Sequence, residues 1–536
     1  MSVKLEQSTI ANASSLVLLQ LFSRAFTFGL NQALVRLATP QTFGTAAVQF
    51  ELLLSTILFL SREGVRNALL RSSVEGKKKH SNVALVENIS LIPILLGVPI
   101  SGLTALVYVQ FASPSTASQP HFHLSVAVYA IAAILELLSE PLYIRAQNEL
   151  RLNVRVRAEG VAVVSKSVVA FLVLALASGE WALVAFAAGQ ATYGLSLLVV
   201  FLGVYKGDIN YVPKRVQTEL HDNLTTSYFD TDLLNLSIAM TGQSVVKHFL
   251  TEGDKFLVSR LSPLEDQGGY AIASNYGSLV ARIIFQPIEE TSRLYFSKSL
   301  SSSSPKKPEK KGEDGVNSGS EQIASKVLSS LLLLFAHLLL LLVTFGPPYL
   351  SIATTLLLPP RFQNTSAPSI LRSYVFYIPM MAFNGVLEAF FASTSTPSEL
   401  KHQSRWMMVF SIVFVFAAYL LNQLGFGDSG LVYANVLNLF LRVVYCWSFA
   451  RGYFGERGVG FRLSAAVPPR GVIGAFAWSY LVTRWSWKAY EHLPPKVLPQ
   501  RNHIAVGIAC VGICLVTCVL LERKLWRELA QVLRRR

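Results

Sequence analysis

Long apolar blocks alternate along the chain with short polar intervals, most of them basic. "SLVLLQLFSRAFTFGLNQALV", "FLVLALASGEWALVAFAAGQATYGLSLLVVFLGV", "VLSSLLLLFAHLLLLLVTF" and "IAVGIACVGICLVTCVLL" are four such blocks. A helix needs roughly 20 mostly apolar residues to cross a bilayer, and the blocks supply that length about 14 times. Their centres fall near Phe26, Leu52, Leu95, Ala133, Val168, Tyr193, Phe249, Val280, Leu334, Met380, Val415, Leu437, Phe476 and Val511. None shows the period-two alternation of a membrane β-barrel strand. The expected fold class is all-α: a polytopic membrane protein with two pseudo-symmetric six-helix lobes and a trailing helix pair.

Composition agrees. Of 536 residues, 52% are hydrophobic and 15% charged, against about a quarter charged in a soluble chain. The net charge of +15 is carried by Lys and Arg concentrated in alternate loops. That bias sets orientation and attracts anionic headgroups. It predicts an even number of spans with both termini cytoplasmic. No nucleic-acid motif accompanies the charge, so no nucleic-acid partner is expected. The opening "MSVKLEQSTIANASS" lacks a basic cluster and a small-residue cleavage site, so no cleaved signal peptide is expected. Glycosylation sequons begin at Asn12, Asn88, Asn223, Asn235 and Asn364. Only Asn364 falls on the far side in this topology, which makes it the candidate acceptor.

Enzyme signatures are missing: no Walker A loop and no HExxH occurs. The expectation is a non-enzyme without cofactor, not driven by ATP directly. Cys510, Cys514 and Cys518 repeat every fourth residue along one helix stripe. A zinc site normally needs four ligands, so small packing residues are expected there rather than a metal site.

Polar stretches divide the chain. Residues 1–235 form the first six-helix lobe with its linker, 236–455 the second lobe, and 456–536 the last two helices with a basic tail. "SSSSPKKPEKKGEDGVNSGSEQ" marks 300–322 as a disordered cytoplasmic linker. An internal repeat supports the two lobes. Without a gap, "FTFGLNQALVRLATPQTFG" (26–44) pairs with "LTEGDKFLVSRLSPLEDQG" (250–268). It matches Thr27 to Thr251, Gly29 to Gly253, Arg36 to Arg260, Leu37 to Leu261 and Gly44 to Gly268. Each copy enters its lobe at an odd-numbered span, so the repeat is parallel.

Charge inside apolar spans is costly and marks function or internal pairing. The eighth span carries Asn275, Arg282, Gln286, Glu289 and Arg293 on one face of a 3.6-residue helix, with Glu290 at its edge. Pro287 removes one backbone bond and is expected to kink it. Glu252, Asp254 and Lys255 lie just ahead. The first lobe adds Arg24, Glu51, Arg62, Glu63, Arg66, Glu136, Glu140 and Lys166, and the twelfth span adds Arg442. These residues are expected to line a central cavity, with Arg groups suited to a diphosphate. Snorkelling to the headgroups is the competing reading for Arg62, Arg66 and Arg293.

"FLTEGDKFLVSRLSPLEDQGGYAIASNYGSLVARIIFQPIEETSRLYF" closely resembles the central region of the eukaryotic Rft family of endoplasmic-reticulum oligosaccharide-translocation proteins. "FLSREGVRNALLR", "ELLSEPLYIRAQNELRLNVRVRAEG" and "LRSYVFYIPMMAFNGVLEAFF" are similar to further family segments. The matching positions are Arg36, Arg62, Glu63, Arg66, Glu252, Gly253, Arg282, Gln286, Pro287, Glu289 and Glu290. Asp254 and Lys255 keep the motif's acid–base order. The resemblance implies a fold like that of the multidrug/oligosaccharidyl-lipid/polysaccharide exporters. It also implies a dolichol-linked oligosaccharide as partner, within endoplasmic-reticulum membrane lipids, and transport of it from cytosolic to luminal leaflet for protein N-glycosylation. A non-transporting accessory of the same glycolipid's assembly, and a small-solute or drug antiporter, stay open as alternatives.

Overall fold

The computed structural model describes residues 29–30, 32–75, 83–149, 151–220, 223–300 and 314–522. In chain order its long helices are α1 (Pro40–Leu70), α2 (Ala84–Phe111), α3 (Phe122–Asn148), α4 (Leu152–Leu176) and α5 (Ala182–Val204). A hairpin of β1 (Val216–Leu220) and β2 (Asn223–Ser227) follows, then α6 (Thr231–Thr251) and α7 (Gly253–Leu261). Next, α8 runs through Leu264–Val280, a π-helical turn at Ala281–Phe285, and Gln286–Leu300. The rest are α9 (Asp314–Leu357), α10 (Ala367–Thr394), α11 (Pro397–Leu421), α12 (Asp428–Glu456), α13 (Arg470–Tyr490) and α14 (Arg501–Leu521).

The chain is an all-α polytopic membrane protein. Among the described residues ten helices are long and apolar enough to span. Helices α6, α8 and α13 match expected spans in length but are less apolar. The first expected span, centred on Phe26, lies outside the described residues. The linker expected at 300–322 is shorter than its composition suggests, because α9 is already helical from Asp314. Glu321 in its early turns pairs with Arg457 at 3.1 Å, and Ser325 Oγ donates to Gly460 O. Tertiary contact there outweighs a Ser- and Gly-rich composition.

The chain divides into two compact units, 1–271 and 272–536, with the division inside α8 rather than at 235/236. The reason is packing. Helix α6 lies along α1 so closely that a Cβ on Gly64 would sit 2.4 Å from Thr241 N.

In the first unit α1 and α3 run parallel. Thr45 meets Gln119, Arg62 meets Glu136 and Arg66 meets Glu140, each pair 74 residues apart. Two alternate spans must be co-directional, and this constant offset shows it. A core of Phe50, Ile57, Phe122, Tyr129 and Leu137 fills the space between α1, α2 and α3. Small residues set the closest approaches. A Cβ on Gly189 of α5 would lie 2.8 Å from the Lys166 carbonyl of α4, and one on Gly194 would lie 2.9 Å from Ala132 O of α3.

The two repeat copies also meet within this unit. Gln41 Nε2 donates to Glu265 Oε1 at 2.8 Å, and these residues are equivalent at the 224-residue offset that pairs Thr27 with Thr251. A Cβ on Gly44 would strike Gly268 N and Leu264 O, and one on Gly268 would strike Pro40 O at 2.1 Å. Such reciprocity, residue i on the partner of j and j on the partner of i, is the mark of a twofold contact. The same offset carries the π turn at Phe59–Glu63 to within two residues of the one at Ala281–Phe285.

In the second unit α10 is central. Phe390 packs against Phe296 of α8 and Phe454 of α12. Tyr374 fills the space where a side chain at Gly277 would be. The trailing pair docks on α9: Val472, Phe476, Cys514 and Cys518 form a core with Leu340, Leu341 and Phe345. The cysteine stripe is therefore packing surface, with Cys514 Sγ 3.3 Å from Ser479 Oγ.

Candidate functional site

Charge in the first unit is organised by two i,i+4 pairs on parallel helices. Arg62 and Arg66 on α1 face Glu136 and Glu140 on α3, which are 6% and 1% exposed. Arg62 Nη1 lies 2.7 Å from Glu136 Oε1 and 3.8 Å from Glu140 Oε2. Arg66 grips Glu140 with two nitrogens, Nε at 2.6 Å, and stacks 4.0 Å above the Tyr143 ring. A forked guanidinium–carboxylate contact is among the stronger pairings a protein makes. Both arginines are turned inward to acids on a neighbouring helix, so they do not snorkel.

Beside this ladder lies a cavity of about 460 Å³ lined by Glu51, Ser55, Phe59, Arg62, Glu63, Glu136, Lys166, Ser167, Gln190 and Tyr193, with aliphatic residues between. Its walls come from α1, α3, α4 and α5. Lys166 Nζ donates to Gln190 Oε1; the close α4–α5 approach at Gly189 brings the two together. Glu63 accepts from Asn67 Nδ2 at 3.2 Å. A charged, hydroxyl-bearing hollow surrounded by apolar helices is the setting in which intramembrane charge is tolerated.

Other expected site residues lie elsewhere. Arg24 is outside the described residues. Arg36 is exposed ahead of α1. Glu252 pairs with Lys255 at 2.9 Å, and Asp254 accepts from Tyr270 OH at 2.9 Å; this group gathers at the α6–α7 break and does not line the cavity. Gly253 has helical backbone, and among the described residues a Cβ there would meet nothing within 4 Å.

The eighth-span stripe is broken by its π turn. A π turn inserts one residue, and so about 100° of rotation, into a helix. Asn275 therefore leaves the face that Gln286, Glu289 and Arg293 share. The turn ends just before Pro287, which has no N–H to offer Ile283 O. Arg282 has its backbone in this turn, and its side chain is outside the described residues. Gln286 and Glu290 are exposed and bonded to each other at 3.1 Å. Glu289 is half-buried, pairs with Arg293 at 3.0 Å, and abuts Gly385 of α10. One turn further on α10, Glu388 accepts two bonds from Arg442 of α12, Nε at 2.9 Å.

Glu388 is thus part of the second unit's charge cluster and was missed by sequence reasoning, although an acid inside "MMAFNGVLEAFF" is the same signal that marks the others. Gln190, Ser55 and Tyr193 were missed because neutral polar residues are common in packed membrane helices. Asn364 is exposed in the turn between α9 and α10. Asn88, by contrast, is buried, with Nδ2 donating to Lys214 O and Tyr228 O. Among the described residues no group of three His, Cys, Asp or Glu side chains is placed to hold a metal ion.

Comparison with known proteins places these features. The profile described as "Rft protein" matches residues 8–532. The chain is 36% identical over 493 residues to the Man(5)GlcNAc(2)-PP-dolichol translocation protein RFT1 of Yarrowia lipolytica, covering 84% of this chain and 70% of that protein. The protein of the same name from Saccharomyces cerevisiae is 32% identical, with 84% of each chain covered. The one from Mus musculus is 31% identical over 531 residues, covering 96% and 94%. Among solved structures, the lipid II flippase MurJ in an inward closed conformation matches with a TM-score of 0.58 at 13% identity, over 95% of this chain and 99% of that one. An inward-facing multidrug resistance MATE family transporter matches at 0.50, with 13% identity over 81% and 95%. At such identities the likeness speaks for the fold alone.

Proposed function

The chain belongs to the Rft protein family, and from that premise we propose that it carries a dolichyl-diphosphate-linked oligosaccharide across the endoplasmic-reticulum membrane for protein N-glycosylation. The movement runs from cytosolic to luminal leaflet, with both termini cytosolic. The headgroup occupies polar space inside the helix bundle, while the polyprenyl tail stays in lipid. The observation that carries this reading is the cavity of about 460 Å³ with its charged and hydroxyl lining, set among helices that are otherwise apolar. Relatives named for translocating this glycolipid support the choice of substrate. The fold shared with a lipid II flippase is consistent with it but does not by itself carry function.

The test is reconstitution. Purified protein in vesicles with a labelled lipid-linked oligosaccharide should speed its transfer between leaflets above protein-free vesicles. Lys166→Ala should slow that transfer. Acceleration absent from wild type, with binding of the glycolipid retained, would instead favour the accessory role.

A further inference from the structure

The first-unit cavity has the wrong charge balance for a diphosphate. Among the described lining residues three carboxylates, Glu51, Glu63 and Glu136, face two cations, Arg62 and Lys166, one negative charge in excess. Arg62 is already committed to Glu136 at 2.7 Å. A phosphate diester pair brought here would meet net repulsion in a medium that screens poorly.

The same groups suit a neutral ligand rich in hydroxyls. An ionised carboxylate only accepts hydrogen bonds, with about four lone-pair sites, and an ammonium only donates. A sugar hydroxyl does both. Among the described residues the Glu51 carboxylate accepts no hydrogen bond; Lys255 of α7 acts on it through charge alone, so its acceptor capacity is open toward the hollow. Among the described residues Lys166 makes one hydrogen bond, to the neutral amide of Gln190, and lies 6.0 Å from the centre of the Tyr193 ring, leaving two donors for a ligand.

We infer that this cavity is a glycan subsite, reading sugar hydroxyls through Glu51, Lys166 and Gln190, and that the diphosphate is held elsewhere. The inference rests on the glycolipid function proposed above. The cavity volume lies within the roughly 300–1,000 Å³ range of small-molecule sites, enough for part of a glycan.

The test uses full-length protein in lipid nanodiscs and a photoactivatable lipid-linked oligosaccharide. Its competitors are the phosphate-free oligomannose glycan and inorganic pyrophosphate. The glycan should compete with the wild type. Glu51→Gln should weaken that competition about ten-fold, the size expected for losing a charged acceptor, and leave pyrophosphate unaffected. Ser55→Ala, a milder change in the same wall, should weaken it about three-fold and serves if Glu51→Gln does not fold. Competition by pyrophosphate that strengthens in Glu51→Gln would overturn the subsite. So would intact-lipid labelling that the free glycan leaves untouched in wild type. No labelling by the intact lipid at all would instead remove the glycolipid function itself.

Discussion

The two repeat copies hold their charges differently. In the first unit the cations sit on α1 and the acids on α3, and both acids are almost fully enclosed. In the second unit the acids Glu289 and Glu290 sit on α8, the α1 equivalent. Its pair between α12 and α10, Arg442–Glu388, keeps 27% and 20% of its side chains exposed. Arg66 corresponds by offset to Glu290, an exact reversal of sign. What the copies share is backbone: a π turn at nearly the same place, and equivalent glycines in contact. Duplication preserved the geometry of the second span and left its charge free to diverge. The enclosed ladder therefore belongs to stability as much as to the cavity, and the open cluster is the more adaptable of the two.

That contrast can be broken most directly at Arg66. Arg66→Ala leaves Glu140 buried and without its forked partner, and should cost about 3–5 kcal/mol. Loss of the monodisperse peak in detergent would report it. Arg442→Ala strips a more exposed pair and should cost less, about 1.5–3 kcal/mol, seen as a moderate drop in Tm. Equal losses in the two variants would erase the distinction between units. Gly268→Ala places a methyl against the Pro40 carbonyl and should cost about 1–3 kcal/mol by the same thermal assay. A neutral outcome there would mean that the equivalent helix starts are not in contact. The smallest effect separates the sequons. Asn364→Gln should remove one glycan's mass in gel mobility and change Tm by an energy under about 0.5 kcal/mol. Asn88 should carry no glycan in any state of the folded chain.

Much of this was legible from sequence because the bilayer restricts backbone to helices and long apolar runs announce them. The intramembrane charges at Arg62, Arg66, Lys166 and Arg442 stood out for the same reason. Their pairing did not. Which acid meets which arginine depends on α1 and α3 running in register, a tertiary fact. Nor was the π turn at Ala281–Phe285 visible, since a one-residue change in helical phase leaves composition untouched. It is this turn that separates Asn275 from the face of Glu289. The hairpin at 216–227 was likewise hidden in a polar stretch that reads as loop.

The most direct test of the central claim asks whether charged groups within the membrane line a wet site that receives a sugar-bearing headgroup. The four native cysteines are all buried, so a single introduced thiol can be followed. Ser55→Cys in the cavity wall and Leu106→Cys on the exposed apolar face of α2 would be treated with a charged, membrane-impermeant thiol reagent in vesicles. The account predicts that position 55 is modified, that lipid-linked oligosaccharide protects it, and that position 106 stays unmodified. A position 55 that never reacts, or that reacts equally with and without the glycolipid, would contradict it.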